Sequence, residues 1–311
     1  MSGSKELTLK ESLSFWGEIG KNISAYEKFK VLSVTGGIPR YLEEVRPDLS
    51  AEENLKQLCF TKEGFLFNEF DQIFSDIFIT RSKFYRKVVL SLKDRNLEPL
   101  ELCKSIKAPQ NDTTSDYLDE LVQAGFLARD YSWHLKTGEV SKLSHYRIKD
   151  NYLRFYLKYI YPNQHQILSG AFQESSLSML PNWEGIMGLQ FKNLILNNRK
   201  NIWKLLSVSP DEIIWNNPYF QRKTNQQEGC QIDYLIQTKF NTLYVCEIKF
   251  SKHPIKKEVV SEMEKKLKNL KLPRHVSYRP VLIHVNGVHE EVIESGYFSN
   301  IIDFNEFLEA Y

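Results

Sequence analysis

The chain has 311 residues, of which 42% are hydrophobic and 13% aromatic, and its formal net charge is +2. This length leaves room for two or three compact domains, and this apolar content excludes a chain that is disordered throughout. A net charge so close to zero provides no overall field for nucleic acid, so any such binding must come from a local patch.

Cysteine and histidine usage argues against a disulfide framework and against a zinc site. The seven histidines show no tight ligand spacing, and no two cysteines form a C-x-x-C pair. In a chain of this length, scattered cysteines are typical of reduced thiols. No stretch is apolar for long enough to span a bilayer, and the polar start of the sequence lacks a signal-peptide core. We therefore expect a cytoplasmic protein with no membrane partner. The cysteines are Cys59, Cys103, Cys230 and Cys246.

Residues 1–79 are predicted to form a helical segment. Apolar residues recur at helical spacing through residues 8–50 and again through 51–79. Gly36 and Gly37 match the C-cap of one helix, and Pro39 matches the first position of the next.

Residues 80–162 have the pattern of a winged helix-turn-helix. Three predicted helices precede two strand-like runs, and Thr137-Gly138 between the runs suits the loop of a β-hairpin. Asp150 is the predicted N-cap of a further apolar helix, which Pro162 is predicted to end. The predicted ranges are Lys83–Leu92, Pro99–Ile106 and Thr113–Gln123 for the three helices, Phe126–Trp133 and Leu143–Ile148 for the strands, and Asn151–Tyr161 for the last helix.

The charges of this region leave its partner open. The third helix carries Asp116 and Glu120 and no Lys or Arg, which is unfavourable for a helix that must approach phosphates. The hairpin, or wing, is more basic, with Lys136, Lys142 and Arg147 on or beside it. DNA contact through the wing and a protein–protein or interdomain role both remain open.

Residues 163–182 are predicted to be a linker, and residues 183–311 an α/β domain. A helix, three strands, a crossover helix and another strand give a sheet of restriction-enzyme type. The crossover helix Lys256–Leu270 is basic and amphipathic; its lysines fit either a solvated face or contacts to a phosphate backbone. The other predicted elements are the helix Trp183–Asn197, the strands Ile213–Phe220, Gln231–Ile236, Leu243–Phe250 and Pro280–Val285, and a final strand–helix pair, Ser299–Ala310.

Two of these strands carry the candidate catalytic residues Asp233, Glu247 and Lys249. Alternation places Glu247 and Lys249 on one face of their strand, and a carboxylate inside an apolar strand is costly unless a cation or a donor pairs with it. Asp233 and Glu247 are predicted to bind Mg²⁺ or Mn²⁺, because carboxylate oxygens suit hard cations. Lys249 is predicted to orient the attacking water. A degenerate site and unrelated strand-end charges are the alternatives.

This D…E-x-K arrangement resembles the PD-(D/E)xK nuclease superfamily. Together with the strings Val34-Thr-Gly-Gly-Ile-Pro-Arg-Tyr-Leu42 and Tyr146-Arg-Ile-Lys-Asp-Asn-Tyr-Leu-Arg-Phe155, the order of elements resembles the C-terminal portion of an archaeal/bacterial AAA-like (STAND-like) ATPase family. In that family a P-loop domain precedes a winged helix and a PD-(D/E)xK-like domain. The resemblance implies that residues 1–79 correspond to the lid region of the ATPase.

The sequence departs from that family in two places. It contains no G-x-x-x-x-G-K-[ST], so the chain is not expected to hydrolyse ATP on its own, and a separate P-loop ATPase domain or subunit is an implied partner. In that family a glutamate directly follows the phenylalanine of the first helix of the α/β domain. Here Phe191 is followed by Lys192, and Glu184 lies on a different face of the same helix. The family also places its G-x-P element, here Gly37-Ile38-Pro39, near adenine, whereas a helix cap followed by proline accounts for the same residues.

Two hypotheses follow for the function. The first is a DNA-binding protein whose C-terminal domain is a metal-dependent deoxyribonuclease. The alternative is a non-catalytic regulatory or interaction module of a P-loop ATPase with a degenerate nuclease fold.

Overall fold

The structure, a computed structural model, describes residues 6–70, 81–172 and 176–309. The fold is multi-domain α/β, as predicted, with a helical region and a mixed five-stranded sheet. The chain divides into two compact units, Met1–Arg129 with Tyr146–Leu194 and Asp130–His145 with Ile195–Tyr311. The finer four-segment division stays a prediction, and the predicted helical residues 71–79 lie outside the described ranges.

The first unit begins with short helices whose ends are set by side-chain caps. Thr8 and Ser50 each form a capping box with the glutamate three residues later, and the Ser24 hydroxyl accepts from the Glu27 N–H. The helices are α1 (Leu9–Ser12), α2 (Ala25–Thr35), α3 (Pro39–Leu42), α4 (Ala51–Cys59) and α5 (65–70), with 3₁₀ turns at Leu13–Trp16 and Glu18–Asn22.

The glycine pair between α2 and α3 acts as the sequence predicts. Gly36 is the C-cap of α2 with a φ of 58°, a conformation that favours glycine, and Pro39 opens α3. Gly37 is needed for a different reason. Its carbonyl accepts from the Leu7 N–H at 2.7 Å, and a Cβ at this position would lie 2.2 Å from the Leu7 carbonyl oxygen.

Gly37→Ala is therefore expected to lower the free energy of unfolding by about 1–3 kcal/mol, because a backbone atom, which has little freedom to move, blocks the methyl group. Urea denaturation followed by circular dichroism measures the change. Gly229→Ala is the matched control, since a Cβ there would meet its nearest atom at an ordinary 3.5 Å. Equal stability of the two variants would contradict the assignment.

Three helices and a hairpin follow in the predicted order. They are α6 (Ser82–Leu92), α7 (Pro99–Ile106), α8 (Asp112–Gln123), β1 (Leu127–Trp133) and β2 (Val140–Ile148). Leu97, between α6 and α7, exchanges two backbone hydrogen bonds with Tyr146 of β2, at 3.1 and 2.8 Å. Acidic α8 is tied to α6 through Glu120, which accepts from Arg81 at 2.5 Å and from the Tyr85 hydroxyl.

The prediction that Pro162 ends the next helix is wrong. The Asp150 carboxylate caps α9 (Asn151–Phe155), accepting from the Leu153 N–H at 2.7 Å as predicted. The chain then continues through a π-helical turn and a 3₁₀ turn into α10 (Gln164–Leu168), part of the predicted linker. Pro162 lies in the first turn of the 3₁₀ segment, a helix position at which proline is tolerated.

The second unit is built on a five-stranded sheet in the order β3-β4-β5-β6-β7. The first three strands form an antiparallel meander. After a helical crossover, β6 pairs in parallel with β5, and β7 pairs in parallel with β6. The α11 helix (Trp183–Asn197) leads from the first unit into this one. The remaining elements are α12 (Arg199–Leu205), β3 (Ile213–Gln221), β4 (Cys230–Thr238), β5 (Thr242–Lys249), α13 (Glu258–Asn269), β6 (Ser277–His284), α14 (Glu290–Glu294), β7 (Asn300–Asp303) and α15 (Phe304–Glu309).

The core of the second unit lies between the sheet and α13. Val259, Met263 and Leu267 recur along one face of α13 and pack with Val245 and Leu282 of the central strands. The tip of the β1–β2 hairpin joins the same core through Trp133 and Leu135. The core therefore fixes α13 against the strand that carries Glu247 and Lys249.

Candidate active site in the second unit

The structure brings the three predicted residues together on β4 and β5. Tyr234 pairs with Cys246 across the antiparallel ladder, so continuing this register by one residue sets Asp233 opposite Glu247. The Asp233 carboxylate accepts a hydrogen bond from the Ile248 N–H at 3.0 Å. Asp233 is thereby held against the strand segment that lies between the other two residues.

Glu247 is a buried carboxylate with two cationic partners. Its side chain is only 3% exposed. One carboxylate oxygen lies 3.4 Å from Lys249 Nζ, and the other is paired with Lys266 Nζ. These ion pairs offset part of the cost of burying the charge in the strand.

Lys249 is held between two carboxylates. Its Nζ lies 2.5 Å from Glu262 Oε2 as well as 3.4 Å from Glu247 Oε1, and its side chain is 34% exposed. Burial alone would lower the pKa of Lys249, but the hydrogen bond to Glu262 and the charge of Glu247 outweigh it and raise the pKa. The ammonium group is therefore charged at neutral pH and reaches the edge of solvent.

Glu262 and Lys266 were not among the predicted site residues. They lie four residues apart on α13, each directly before a buried residue, Met263 or Leu267. Positions that border the apolar face of a helix point toward whatever that face covers. The sequence therefore indicated that Glu262 and Lys266 border the buried face of α13. It did not indicate that their partners are Lys249 and Glu247 of β5, which only the structure shows.

Asp233 and Glu247 repel each other in a site of low dielectric. Burial raises the pKa of Glu247, the nearby charge of Asp233 raises it further, and Lys266 and Lys249 offset the rise only in part. A cation between two such carboxylates would relieve this repulsion.

The free energy of unfolding of the wild type is expected to fall relative to that of the Glu247→Gln variant as the pH rises. The fall begins near the ordinary glutamate pKa of 4.5 and ends above the raised pKa of Glu247 in the folded state. Below both values Glu247 is protonated in the folded and unfolded states, so no penalty applies. Above both it is ionised in both states, and the folded state carries a constant penalty that glutamine lacks. Urea denaturation at a series of pH values measures the difference. Glu264→Gln, at an exposed position of α13, is the control, and a pH-independent difference for Glu247→Gln would contradict the expectation.

The donors at this site fit a hard divalent cation. Mg²⁺ is commonly held by one or two carboxylates together with water molecules, and Asp233 and Glu247, which lie opposite each other on β4 and β5, offer such a pair. Within the described ranges, His, Cys, Asp and Glu side chains form no group of three or more that could hold a metal ion. The fit therefore rests on the carboxylate pair.

The structure corrects one of the three predicted nucleic-acid contacts. Lys136 and Lys142 are exposed on the hairpin, as a contact to phosphate requires. Arg147 is only 3% exposed, and its guanidinium donates to the Asn193 side-chain oxygen inside the first unit. An arginine buried in this way serves packing and hydrogen bonding, so the prediction that Arg147 contacts nucleic acid is wrong.

The α11 helix offers no substitute for the glutamate that follows this helix's phenylalanine in the family that the sequence resembles. Glu184 is exposed in the first turn, and Lys192 follows Phe191, which is fully buried against Phe29 at a ring-centroid distance of 5.2 Å. The carboxylates of the candidate site therefore come from β4 and β5.

No protein-family model matches the sequence. Over 146 residues the chain is 29% identical to MJECL04, an uncharacterized protein of Methanocaldococcus jannaschii; this stretch covers 47% of the chain and 32% of that protein, about a third of its length. The crystal structure of protein VC1899 from Vibrio cholerae aligns with a TM-score of 0.31 and 11% sequence identity. The alignment covers 79% of this chain and 53% of the VC1899 chain. A TM-score this low supports no statement about shared fold or function.

None of the helices in the described ranges is both long enough and apolar enough to cross a membrane.

Proposed function

We propose that the second unit hydrolyses phosphodiester bonds of DNA in a reaction that depends on Mg²⁺ or Mn²⁺. The observation that carries the proposal is the convergence of Asp233, Glu247 and Lys249, with Lys249 Nζ 3.4 Å from Glu247 and Asp233 bonded to the backbone beside it. The antiparallel meander followed by a crossover helix and a parallel strand supports a PD-(D/E)xK-like fold.

Each residue has a distinct role in this proposal. Asp233 and Glu247 hold the metal, which when bound supplies Lewis acidity and a water of lowered pKa. Lys249 presents a permanent positive charge that positions the attacking water and stabilises charge that develops on the phosphate. Glu262 holds the Lys249 ammonium in place at 2.5 Å. Glu262 is thus a positioning residue.

Basic residues of the same unit supply the proposed DNA contacts. Lys265 and Lys268 are exposed on α13, and Lys136 and Lys142 are exposed in the hairpin segment Asp130–His145, which belongs to the second unit. Contacts to phosphate are sequence-independent and salt-sensitive. We therefore propose recognition of the DNA backbone without base specificity from these residues.

Incubation of the purified chain with single-stranded, duplex and branched DNA, with Mg²⁺ or Mn²⁺ and with chelator, tests the proposal. Cleavage that requires the cation supports it. Absence of cleavage of every substrate under all conditions would count against it.

One observation favours a second function. Both oxygens of Glu247 already have lysine partners, so the charge of the site is largely balanced by the chain itself. Such an internal charge balance, which needs no metal, is what a degenerate site in a non-catalytic regulatory module of a P-loop ATPase requires. Copurification with such an ATPase, or with nucleotide bound to it, supports this function, and a monomer that binds neither argues against it.

We also propose a cytoplasmic location. Cys59, Cys103, Cys230 and Cys246 are all buried and none forms a disulfide, as in a reducing compartment.

A further inference from the structure

We propose that Lys266 is a tethered cation for the carboxylate pair, and that a divalent metal binds there only after the Lys266 ammonium has left Glu247. This inference rests on the proposed metal site. It assigns to α13 the control of metal access to that site.

The ion pairs divide the lysines between different carboxylates. The closest acidic partner of Lys249 is Glu262, at 2.5 Å, and its distance to Glu247 is longer, at 3.4 Å. The Lys266 ammonium is in direct contact with the other oxygen of Glu247. Lys266 is therefore the principal counter-charge of Glu247, and Lys249 is mainly held by Glu262.

Lys266 is also better placed to move than the carboxylate it neutralises. Its side chain is 28% exposed, whereas the Glu247 side chain is 3% exposed. The backbone of α13 is fixed, because Met263 and Leu267 on either side of Lys266 are buried in the core. The flexible four-carbon stem of lysine lets the ammonium swing toward solvent without movement of the helix.

An ammonium and a metal ion bound at the same buried carboxylate oxygen are two positive charges at close range, and they repel each other. Binding of one must therefore weaken binding of the other by a common factor. Loss of the Lys266 charge should tighten metal binding, since the metal no longer displaces an ion pair. A substitution that keeps the positive charge should leave the affinity unchanged.

Calorimetric titration of Mn²⁺ into the full chain tests this competition. Lys266→Met and Lys266→Gln are expected to tighten Mn²⁺ binding about 10-fold, equivalent to about 1.4 kcal/mol. Lys266→Arg keeps the cation and is expected to bind Mn²⁺ as the wild type does. Lys265→Met removes an exposed lysine from the adjacent position of α13 and is the matched control. Circular dichroism of each variant establishes that it is folded.

The outcomes separate this inference from the proposed function. Tighter binding in the Met and Gln variants alone supports the tethered cation, even if no variant cleaves DNA. Equal or weaker binding in those variants, with measurable binding in the wild type, overturns it and leaves the metal site standing. No Mn²⁺ binding in the wild type or in either neutral variant overturns both.

Discussion

Lys249→Met is expected to lower metal-dependent DNA cleavage by at least about 100-fold without weakening Mn²⁺ binding, because it removes the charge that is proposed to act on the reacting phosphate and removes no proposed metal ligand. Methionine fills much the same volume and keeps an unbranched side chain. The nearer carboxylate of the Lys249 ammonium is Glu262, at 2.5 Å, against 3.4 Å for Glu247, and neither Glu262 nor Lys249 is a proposed metal ligand. Cleavage rates under single-turnover conditions and calorimetric Mn²⁺ titration measure the two effects.

Asp233→Asn is the companion variant. It keeps the size of the side chain but removes a carboxylate charge, so cleavage and Mn²⁺ binding should fall together. If Lys249→Met also abolished Mn²⁺ binding, or if it cleaved DNA at the wild-type rate, the assigned role of Lys249 would be wrong.

Trp133→Ala is expected to lower the free energy of unfolding of the second unit by about 3–5 kcal/mol. Trp133 is 1% exposed, and its ring centroid lies 5.7 Å from that of Trp215 and 5.1 Å from that of Tyr219. Its indole N–H donates to Gln237 at 2.6 Å, and Gln237 in turn donates to the Leu135 carbonyl at 2.9 Å. Truncation leaves a cavity and a buried amide without its donor.

Urea denaturation followed by far-ultraviolet circular dichroism measures this loss without relying on the fluorescence of the deleted indole. Trp133→Phe is expected to lose less, since it keeps part of the aromatic packing and leaves a smaller cavity, although it too loses the hydrogen bond. Val140→Ala, at an exposed position of the same hairpin, is the control. A loss below about 1 kcal/mol for Trp133→Ala, within the range of surface substitutions, would show that the hairpin tip is not part of this core.

The strands of the second unit could be predicted because their residues are of the type and length that strands favour. Short apolar runs rich in β-branched residues, bounded by polar breaks, located β4 and β5 to within a residue or two. Alternation then placed Glu247 and Lys249 on one face, and the two strands lie side by side as expected. The candidate site was predictable to the extent that it depends on neighbouring strands.

Contacts between distant parts of the chain could not be predicted in the same way. Arg147 looked like a surface residue of a basic hairpin, but its partner Asn193 is 46 residues away, and that contact buries it. The ion pair between Lys266 and Glu247 likewise depends on how the crossover helix is rotated on the sheet. Pro162 was judged from its local effect on an α-helix, whereas the chain changes to π and 3₁₀ geometry around it.

The most direct test of the carboxylate site is calorimetric titration of Mn²⁺ into the wild type and Asp233→Ala. Saturable binding to the wild type that is lost in Asp233→Ala is the predicted result, because that variant removes one of the two carboxylates that are proposed to hold the metal. Saturable binding that persists unchanged in Asp233→Ala would contradict the assignment of Asp233 and Glu247 as the metal site.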